Sequence, residues 1–374
     1  MKRKILFISN ESRLGGAELS LLSLVEGLPA DKYSKVVALP DEGPLYKRLE
    51  GAYPTVLFPM KKLFRDMGML GTARRLVQMV KTGMRMAAYV RRESIDVIYS
   101  NGIQAQLYGM IIRIFSFRST VWHVRDRNPG LLISKCCATA SARVVCISQF
   151  VYQQTPGSPG KKRLIYNGLD TGVWSPTPER RGIPGMPVLP EGALIVGQVG
   201  QLIPWKRHGD LIRAAAEVVR RAPRVYFVIL GEDPAGQHPG YVDGLKELVR
   251  AEGLSDHFFF AGYTADIKES MNQLDVLVHC AEGEPFGRVV VEAMALEKAV
   301  IAYRSGGCAE LVEHEVSGLL VEPRQVDALA EAVVGLINDE RKRATLGKRA
   351  RQRVIERFDI AGTIRLVTEV IDGL

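Results

Sequence analysis

Ala193-Leu194-Ile195-Val196-Gly197-Gln198-Val199-Gly200-Gln201-Leu202-Ile203-Pro204-Trp205-Lys206-Arg207-His208 opens the second half of this chain, and its reading decides the fold. The apolar run at 193–199 is short and rich in Val, Ile and Leu, so it predicts a buried strand. Gly200 turns the chain, two cations follow, and helical spacing begins near 207 and runs to 221. Downstream the rhythm repeats: strands are predicted at 225–230, 257–261, 275–279, 299–303 and 318–321, with helices near 241–252, 265–273, 286–297 and 325–338. From about 340 to the end the spacing is helical throughout. Upstream the same alternation predicts strands at 4–9, 35–39, 55–59, 96–100, 119–124, 143–147 and 163–166, with helices such as 16–28, 70–91 and 104–115. Continuous apolar strands alternating with helices mean parallel sheets covered on both faces.

Between the two series lies Trp174-Ser175-Pro176-Thr177-Pro178-Glu179-Arg180-Arg181-Gly182-Ile183-Pro184, with Pro187 and Pro190 beyond it. Proline denies this stretch a regular ladder, so it reads as a linker. The division is an N-terminal domain at 1–180, a Pro-rich linker at 181–190 and a C-terminal domain at 191–355. A terminal helix at 356–374 is placed to pack back on the first domain. Two domains suit 374 residues, 47% of them hydrophobic, since each half is long enough for its own core. Two doubly wound sheets joined in this way are expected to face a cleft at their carboxyl ends, where such folds bind ligands.

Composition excludes several classes. There is no low-complexity tract, and no apolar run reaches the ~18–20 residues of a membrane span. The basic start Met1-Lys2-Arg3-Lys4 leads into an apolar run that ends by Ser9, too short for a secretion signal, so it reads as the first strand. Cys136, Cys137, Cys146, Cys280 and Cys308 show no paired spacing and read as reduced thiols in a cytoplasmic protein.

Charge is unevenly divided. Residues 1–185 hold 28 Lys and Arg against 13 Asp and Glu, a net of +15, whereas 186–374 hold 22 against 28, a net of −6. The basic excess concentrates in 61–92, where Lys61, Lys62, Arg65, Arg74, Arg75, Lys81, Arg85, Arg91 and Arg92 face only Asp66. Ala73, Val77, Val80, Met84 and Ala87 recur there at helical spacing. A basic amphipathic helix of this kind suits an anionic membrane surface; a packed helix with a solvated basic side fits the pattern equally well. Interleaved aromatics and nucleic-acid modules are missing, so no nucleic-acid partner is expected.

Three segments suggest phosphate binding. The first strand leads to Gly15-Gly16-Ala17-Glu18 and then directly to a helix, a turn that lets backbone N–H groups approach an anion; a plain tight turn reads the same way. Lys206 follows the second domain's first strand and is placed to neutralise a diphosphate, though a solvated lysine would sit there too. The third is Glu282-Gly283-Glu284-Pro285-Phe286-Gly287-Arg288-Val289-Val290-Val291-Glu292-Ala293-Met294. Pro285 suits a helix entry, and Gly287 leaves first-turn amides accessible. Glu284 and Glu292 are roughly 10 Å apart by helix rise, too far to act on one glycosidic oxygen and suited to hydroxyls at opposite ends of an elongated ligand. No spacing matches a metal site or a dinucleotide fingerprint.

In this order and spacing the segments resemble family 4 of the retaining nucleotide-sugar glycosyltransferases, of GT-B fold. The resemblance covers essentially the whole chain, including Asn167-Gly168-Leu169-Asp170, Ser305-Gly306-Gly307 with Glu310, and Ser317-Gly318-Leu319-Leu320-Val321. It implies two Rossmann-like domains and the following roles. Glu284 contacts donor-sugar hydroxyls, Glu292 holds the ribose hydroxyls, and Lys206 stabilises the leaving diphosphate, aided by backbone amides at Gly16 and after Gly287. His123 lies beside the donor sugar, and Tyr263 sits near the base pocket, where plain packing accounts for it equally. Phe286, Arg288 and Val289 complete the donor side. The family usually has Arg where this chain has Gln201, so the missing charge must come from elsewhere; Arg207 and Arg288 are the candidates. Asn101, Arg125 and Asp126 end first-domain strands and are placed on the acceptor side. The implied partners are a nucleotide-sugar donor, uridine- or guanosine-linked, and a glycan or lipid-linked acceptor of envelope biosynthesis at the inner membrane face. No metal or other cofactor is expected, because the nucleotide sugar is a substrate and cations with amides carry the charge. A GT-B sugar-nucleotide epimerase and a non-catalytic nucleotide-sugar scaffold are the alternatives.

Overall fold

A computed structural model describes residues 2–62, 69–127, 130–179 and 181–374. Arg65 and Asp66 of the basic tract and Arg180 of the Pro-rich stretch lie outside them. The chain forms two compact units, Met1–Gly168 with Ile360–Leu374, and Leu169–Asp359.

The first unit holds seven strands: β1 Arg3–Ile8, β2 Tyr33–Leu39, β3 Thr55–Leu57, β4 Val97–Asn101, β5 Ser119–Val124, β6 Arg143–Cys146 and β7 Lys162–Leu164. Their order is β3-β2-β1-β4-β5-β6-β7, and every pairing is parallel. The alternation of side chains along β1 splits the core between two faces. Ile5 and Phe7 pack with Leu21, Leu24 and Tyr99, and with Val367 and Ile371 of the last helix, Ile360–Asp372. Leu6 and Ile8 pack on the other face with Met86, Ala87, Val90, Tyr108 and Ile112. Apolar residues buried on both faces explain why these strands read as continuous hydrophobic runs.

The second unit repeats the plan with six strands: β8 Leu194–Val199, β9 Val225–Leu230, β10 Phe258–Gly262, β11 Val276–His279, β12 Ala299–Tyr303 and β13 Leu319–Val321. Their order is β10-β9-β8-β11-β12-β13, again all parallel. In each sheet the chain reverses direction of winding once, between β1 and β4 and between β8 and β11. Crossovers on either side of that point leave on opposite faces and open a crevice at the strand ends.

The units divide at 168/169 and 359/360, whereas the sequence reading divides the chain at 180 and 355. Residues after Leu169 are held by the second unit's own chain: Leu169 N–H donates to the Phe358 carbonyl at 2.8 Å, and Arg351 donates to the Trp174 and Thr171 carbonyls at 2.9 and 3.2 Å. The Pro-rich stretch 181–190 also lies on this unit rather than spanning freely. Arg181 N–H donates to the Gln273 side chain at 2.9 Å, Ile183 is buried, and a Cβ on Gly185 would come within 3.1 Å of Ala261. Proline removes ladder donors but not the capacity to dock side chains, which composition alone does not distinguish.

One close approach pins the start of the second unit's crevice. Gly231 follows β9 with φ of +149°, and a Cβ there would lie 1.9 Å from the Gly200 carbonyl oxygen. Gly231→Ala is therefore expected to destabilise the protein by at least about 2 kcal/mol; an unchanged urea midpoint would refute the contact.

Candidate functional site

Both flanks of the β8/β11 reversal carry charge. After β8 the chain passes Gly200, makes a single 3-10 turn at Pro204–Lys206, and enters the helix His208–Arg221 through Arg207, whose φ is +54°. After β11 it runs through Glu282-Gly283-Glu284-Pro285-Phe286-Gly287 into the helix Arg288–Ala295. Across the crevice Lys206 Nζ meets Glu284 Oε2 at 2.5 Å, with both side chains nearly buried. Burial pushes the Glu284 carboxyl up, but Lys206 and a hydrogen bond from His279 outweigh it and hold the pKa at about 2. Lys206 also lies 4.5 Å from the Trp205 ring centroid, a cation–π contact.

The loop that carries Glu284 is clamped by backbone. Glu282 N–H donates to the Trp205 carbonyl at 3.0 Å and Gly307 N–H to the Glu284 carbonyl at 2.8 Å, while Gly283 N–H donates to Ser305 Oγ at 2.8 Å. Gly306 has φ of +60°, and a Cβ on it would stand 2.3 Å from the Glu284 carbonyl oxygen. Ser305-Gly306-Gly307 is thus a close-packed brace under Glu284, which accounts for two consecutive glycines there.

One helical turn further, Arg288 Nε donates to Glu292 Oε1 at 2.6 Å. Glu292 is buried, and burial raises its carboxyl pKa against the pull of Arg288. The ring of Phe286 is buried edge-on against Phe358, so only its backbone can face a ligand. Gly287 enters the helix with φ of +103°, where a Cβ would crowd Cys308, and the first-turn N–H groups from Arg288 and Val289 point out of the helix start. Arg207 is engaged elsewhere: its guanidinium bonds Asp210 at 2.7 and 2.9 Å and approaches Glu282 at 3.2 Å. Gln201 is exposed, and Tyr263 just past β10 is 65% exposed. The structure therefore joins Lys206 with Glu284 and Arg288 with Glu292, and does not bring Arg207 into either pair.

In the first unit, Gly16 begins the helix Gly16–Gly27 after β1, with Gly15 as an extended N-cap. Asn101, at the end of β4, donates to the Ala17 carbonyl at 3.3 Å and accepts from Arg125 Nε at 2.8 Å; the Arg125 guanidinium also donates to Asn167. His123 is the penultimate residue of β5 and is buried. Its Nδ1 contacts the Tyr99 hydroxyl at 2.7 Å, while Nε2 is buried with no hydrogen-bond partner among the described residues. Burial, reinforced by Arg125, keeps its pKa well below the usual histidine range. Asp126 accepts from Ile103 N–H at 2.8 Å. Gly16, Asn101, His123, Arg125 and Asp126 thus gather at the carboxyl ends of β1, β4 and β5.

Four residues here were not singled out from sequence as site residues. Asn167 opens the Asn167-Gly168-Leu169-Asp170 stretch, to which the resemblance attaches no role. Glu18 is buried, and burial pushes its carboxyl to about 7 against the backbone N–H groups of Glu18 and Gly15; an acid three residues past an N-cap was a readable sign. Tyr99 and His279 lie in apolar strands and left no local signal.

Residues 183–353 match the family described as Glycosyl transferases group 1. Among curated relatives, the chain is 27% identical over 165 residues to a poly(ribitol-phosphate) alpha-N-acetylglucosaminyltransferase of Staphylococcus aureus (44% of this chain and 32% of that protein). It is 29% identical over 293 residues to an N-acetyl-alpha-D-glucosaminyl L-malate synthase of Bacillus anthracis (73% and 74%). The chain thus spans about a third of the staphylococcal protein's length and about three quarters of the other. A crystal structure of Anabaena HepE in complex with UDP and glucose aligns over 100% of both chains, with a TM-score of 0.83 and 28% identity. The fold is GT-B, two Rossmann-like parallel-sheet domains with a helical C-terminus.

The ion pair makes a pH-dependent prediction. Because the Glu284 pKa is depressed in the folded state, its contribution to stability is present above about 4.5 and is lost as pH falls toward 2. Lys206→Met leaves a buried carboxylate without its cation, at a cost of about 3 kcal/mol near neutrality. The gap between wild type and this variant is expected to narrow markedly from pH 7 to pH 3 in denaturant titrations; a gap constant with pH would refute the pairing.

Proposed function

We propose that this chain is a retaining glycosyltransferase of family 4, moving a sugar from a nucleotide-sugar donor to a glycan or lipid-linked acceptor of envelope biosynthesis. The observation that carries the reading is the Lys206–Glu284 pair at the β8/β11 crevice, with buried Glu292 one turn into the adjoining helix. Glu284 accepts hydrogen bonds from donor-sugar hydroxyls. Glu292 accepts them from the ribose, which satisfies a carboxylate that burial otherwise disfavours. Lys206 and the first-turn amides after Gly287 face the diphosphate. A uridine-linked donor is favoured by likeness to HepE, whose crystal structure holds UDP.

As the bond between the anomeric carbon and phosphate oxygen breaks, its electron pair passes to the diphosphate. Lys206 and the amides stabilise the charge that builds there. The acceptor oxygen bonds the anomeric carbon on the face the diphosphate leaves, and its proton passes to a phosphate oxygen. No protein nucleophile is required. With Arg207 tied to Asp210 and Glu282, Arg288 is the nearer replacement for the charge that Gln201 lacks, reached by exchanging Glu292 for phosphate. In the first unit, Asn101, Arg125 and Asp126 serve the acceptor, and His123 Nε2 is available to a donor hydroxyl.

Release of free nucleoside diphosphate from a panel of UDP- and GDP-sugars tests the reading, with and without a membrane extract as acceptor source. Release that depends on acceptor, and that falls at least about 100-fold in Lys206→Ala and Glu284→Ala, is expected; a product that keeps the donor's anomeric configuration would establish retention. Isomerised sugar without acceptor would instead identify an epimerase. Binding without turnover would identify a scaffold.

The membrane face of the proposal rests on the helix Met69–Arg92. Its inner side, including Gly83, Met86, Ala87 and Val90, is buried, and a Cβ on Gly83 would stand 2.6 Å from Ile111. Leu76, Val77, Val80 and Met84 are exposed instead, beside Arg74, Lys81 and Arg85. No helix among the described residues is long and apolar enough to cross a membrane, so binding would be peripheral. Co-sedimentation with anionic but not neutral vesicles is expected, and is expected to weaken in Val77→Asp/Val80→Asp. Equal binding to both vesicle types would remove this part of the proposal.

A further inference from the structure

We infer that His279 is a positioning residue for Glu284, holding the carboxylate so that one oxygen stays anchored to the protein and the other is presented to the donor sugar. The inference rests on the proposed role of Glu284 in binding that sugar.

His279 is the last residue of β11 and is fully buried. Its Nε2 lies 3.2 Å from Glu284 Oε2, the oxygen that Lys206 Nζ also reaches at 2.5 Å. A carboxylate with its pKa held at about 2 can only accept a hydrogen bond, so Nε2 carries the proton. Burial keeps the imidazole neutral, so Nδ1 is a bare lone pair, and it has no hydrogen-bond partner among the described residues. An apolar side chain would fill this strand-end position without that orphaned atom. The imidazole makes sense there through its other nitrogen.

The two protein donors converge on Oε2, and neither bonds Oε1. The Glu284 side chain keeps 13% of its surface exposed, and among the described residues no donor reaches Oε1, so that edge is left for a ligand. Two donors on one oxygen fix the plane of the carboxylate and turn its free edge outward. When a diphosphate enters, Lys206 is drawn toward phosphate, because its compact ammonium serves both anions. His279, fixed in the strand and neutral, cannot follow. Its hydrogen bond then becomes the remaining hold on Oε2, at the stage where Glu284 must grip the sugar.

The test separates sugar binding from nucleotide binding. Affinities for UDP-glucose and UDP, with GDP-mannose and GDP as a second pair, are measured by calorimetry on wild type, His279→Leu, His279→Gln and His279→Asn. Apo melting temperatures monitor the fold. The Gln amide nitrogen reaches the place of Nε2; the shorter Asn amide does not. Leu and Asn variants are expected to lose at least tenfold in affinity for the sugar nucleotide while binding the nucleoside diphosphate within about twofold of wild type, and Gln is expected to restore most of the loss. If His279→Leu does not fold, the Gln and Asn pair decides, since both bury an amide and differ in reach. Unchanged UDP-glucose or GDP-mannose affinity, equal loss for sugar nucleotide and nucleoside diphosphate, or equal affinities in the Gln and Asn variants would each overturn the inference while leaving the proposed function standing. Wild type that binds neither sugar nucleotide would overturn the proposed function, and this inference with it.

Discussion

Lys206 and Glu284 stand 78 residues apart in the chain, and their side chains meet at 2.5 Å in a nearly buried site. A pair of this kind is costly to assemble, because each charge must leave water, and it persists only where the geometry is held from several sides. Here the holding is visible. The Glu284 loop is bound to the Trp205 carbonyl, to Ser305 and to Gly307, and His279 supplies a second donor to the same carboxylate oxygen. The rest of the site follows from this pair, because the helix carrying Glu292 and Arg288 starts only four residues after Glu284.

The same constraint accounts for the glycines around the crevice. Gly306 and Gly307 allow two loops to approach at backbone distance, and Gly231 allows the β9 end to pass beneath Gly200. None of these glycines presents a side chain to a ligand. Each removes a Cβ that would otherwise push a charged side chain out of register, and in a close-packed interior such a shift propagates to its neighbours.

Much of the site was legible residue by residue. Lys206 was readable as a cation past a strand end and Glu292 as a carboxylate inside an apolar helical run, whereas the roles of both and of Glu284 came from the family resemblance. The strand–helix alternation placed all thirteen strands close to where they lie. Asn101, Arg125 and Asp126 were readable as polar residues at the ends of apolar runs. Tyr99 was not, because a polar residue inside a buried strand leaves no periodic sign of what it faces across the sheet, and His279, though it ends β11, carries no mark of the carboxylate it meets. The Pro-rich stretch misled for the opposite reason: its composition correctly excludes a ladder but says nothing of the docking of Ile183 and Arg181 on the second unit. The basic helix was readable as amphipathic, yet only burial shows that Met86 and Val90 face inward while Val77 and Val80 do not.

Periodicity and residue type alone determined that this chain alternates strand and helix in two series, and that its charge is split between them. Those features depend on neighbours within a few positions, where the 2.0 and 3.6 residue repeats and the chemistry of glycine and proline act directly. That Lys206 pairs with Glu284 was settled only by the strand order β10-β9-β8-β11-β12-β13. Setting β8 beside β11 brings the ends of two distant strands to one crevice. It gives Glu284 its lysine and brings Glu282 against Arg207. Contacts of that kind depend on how far strands travel before they pair, and no local stretch of residues encodes that distance.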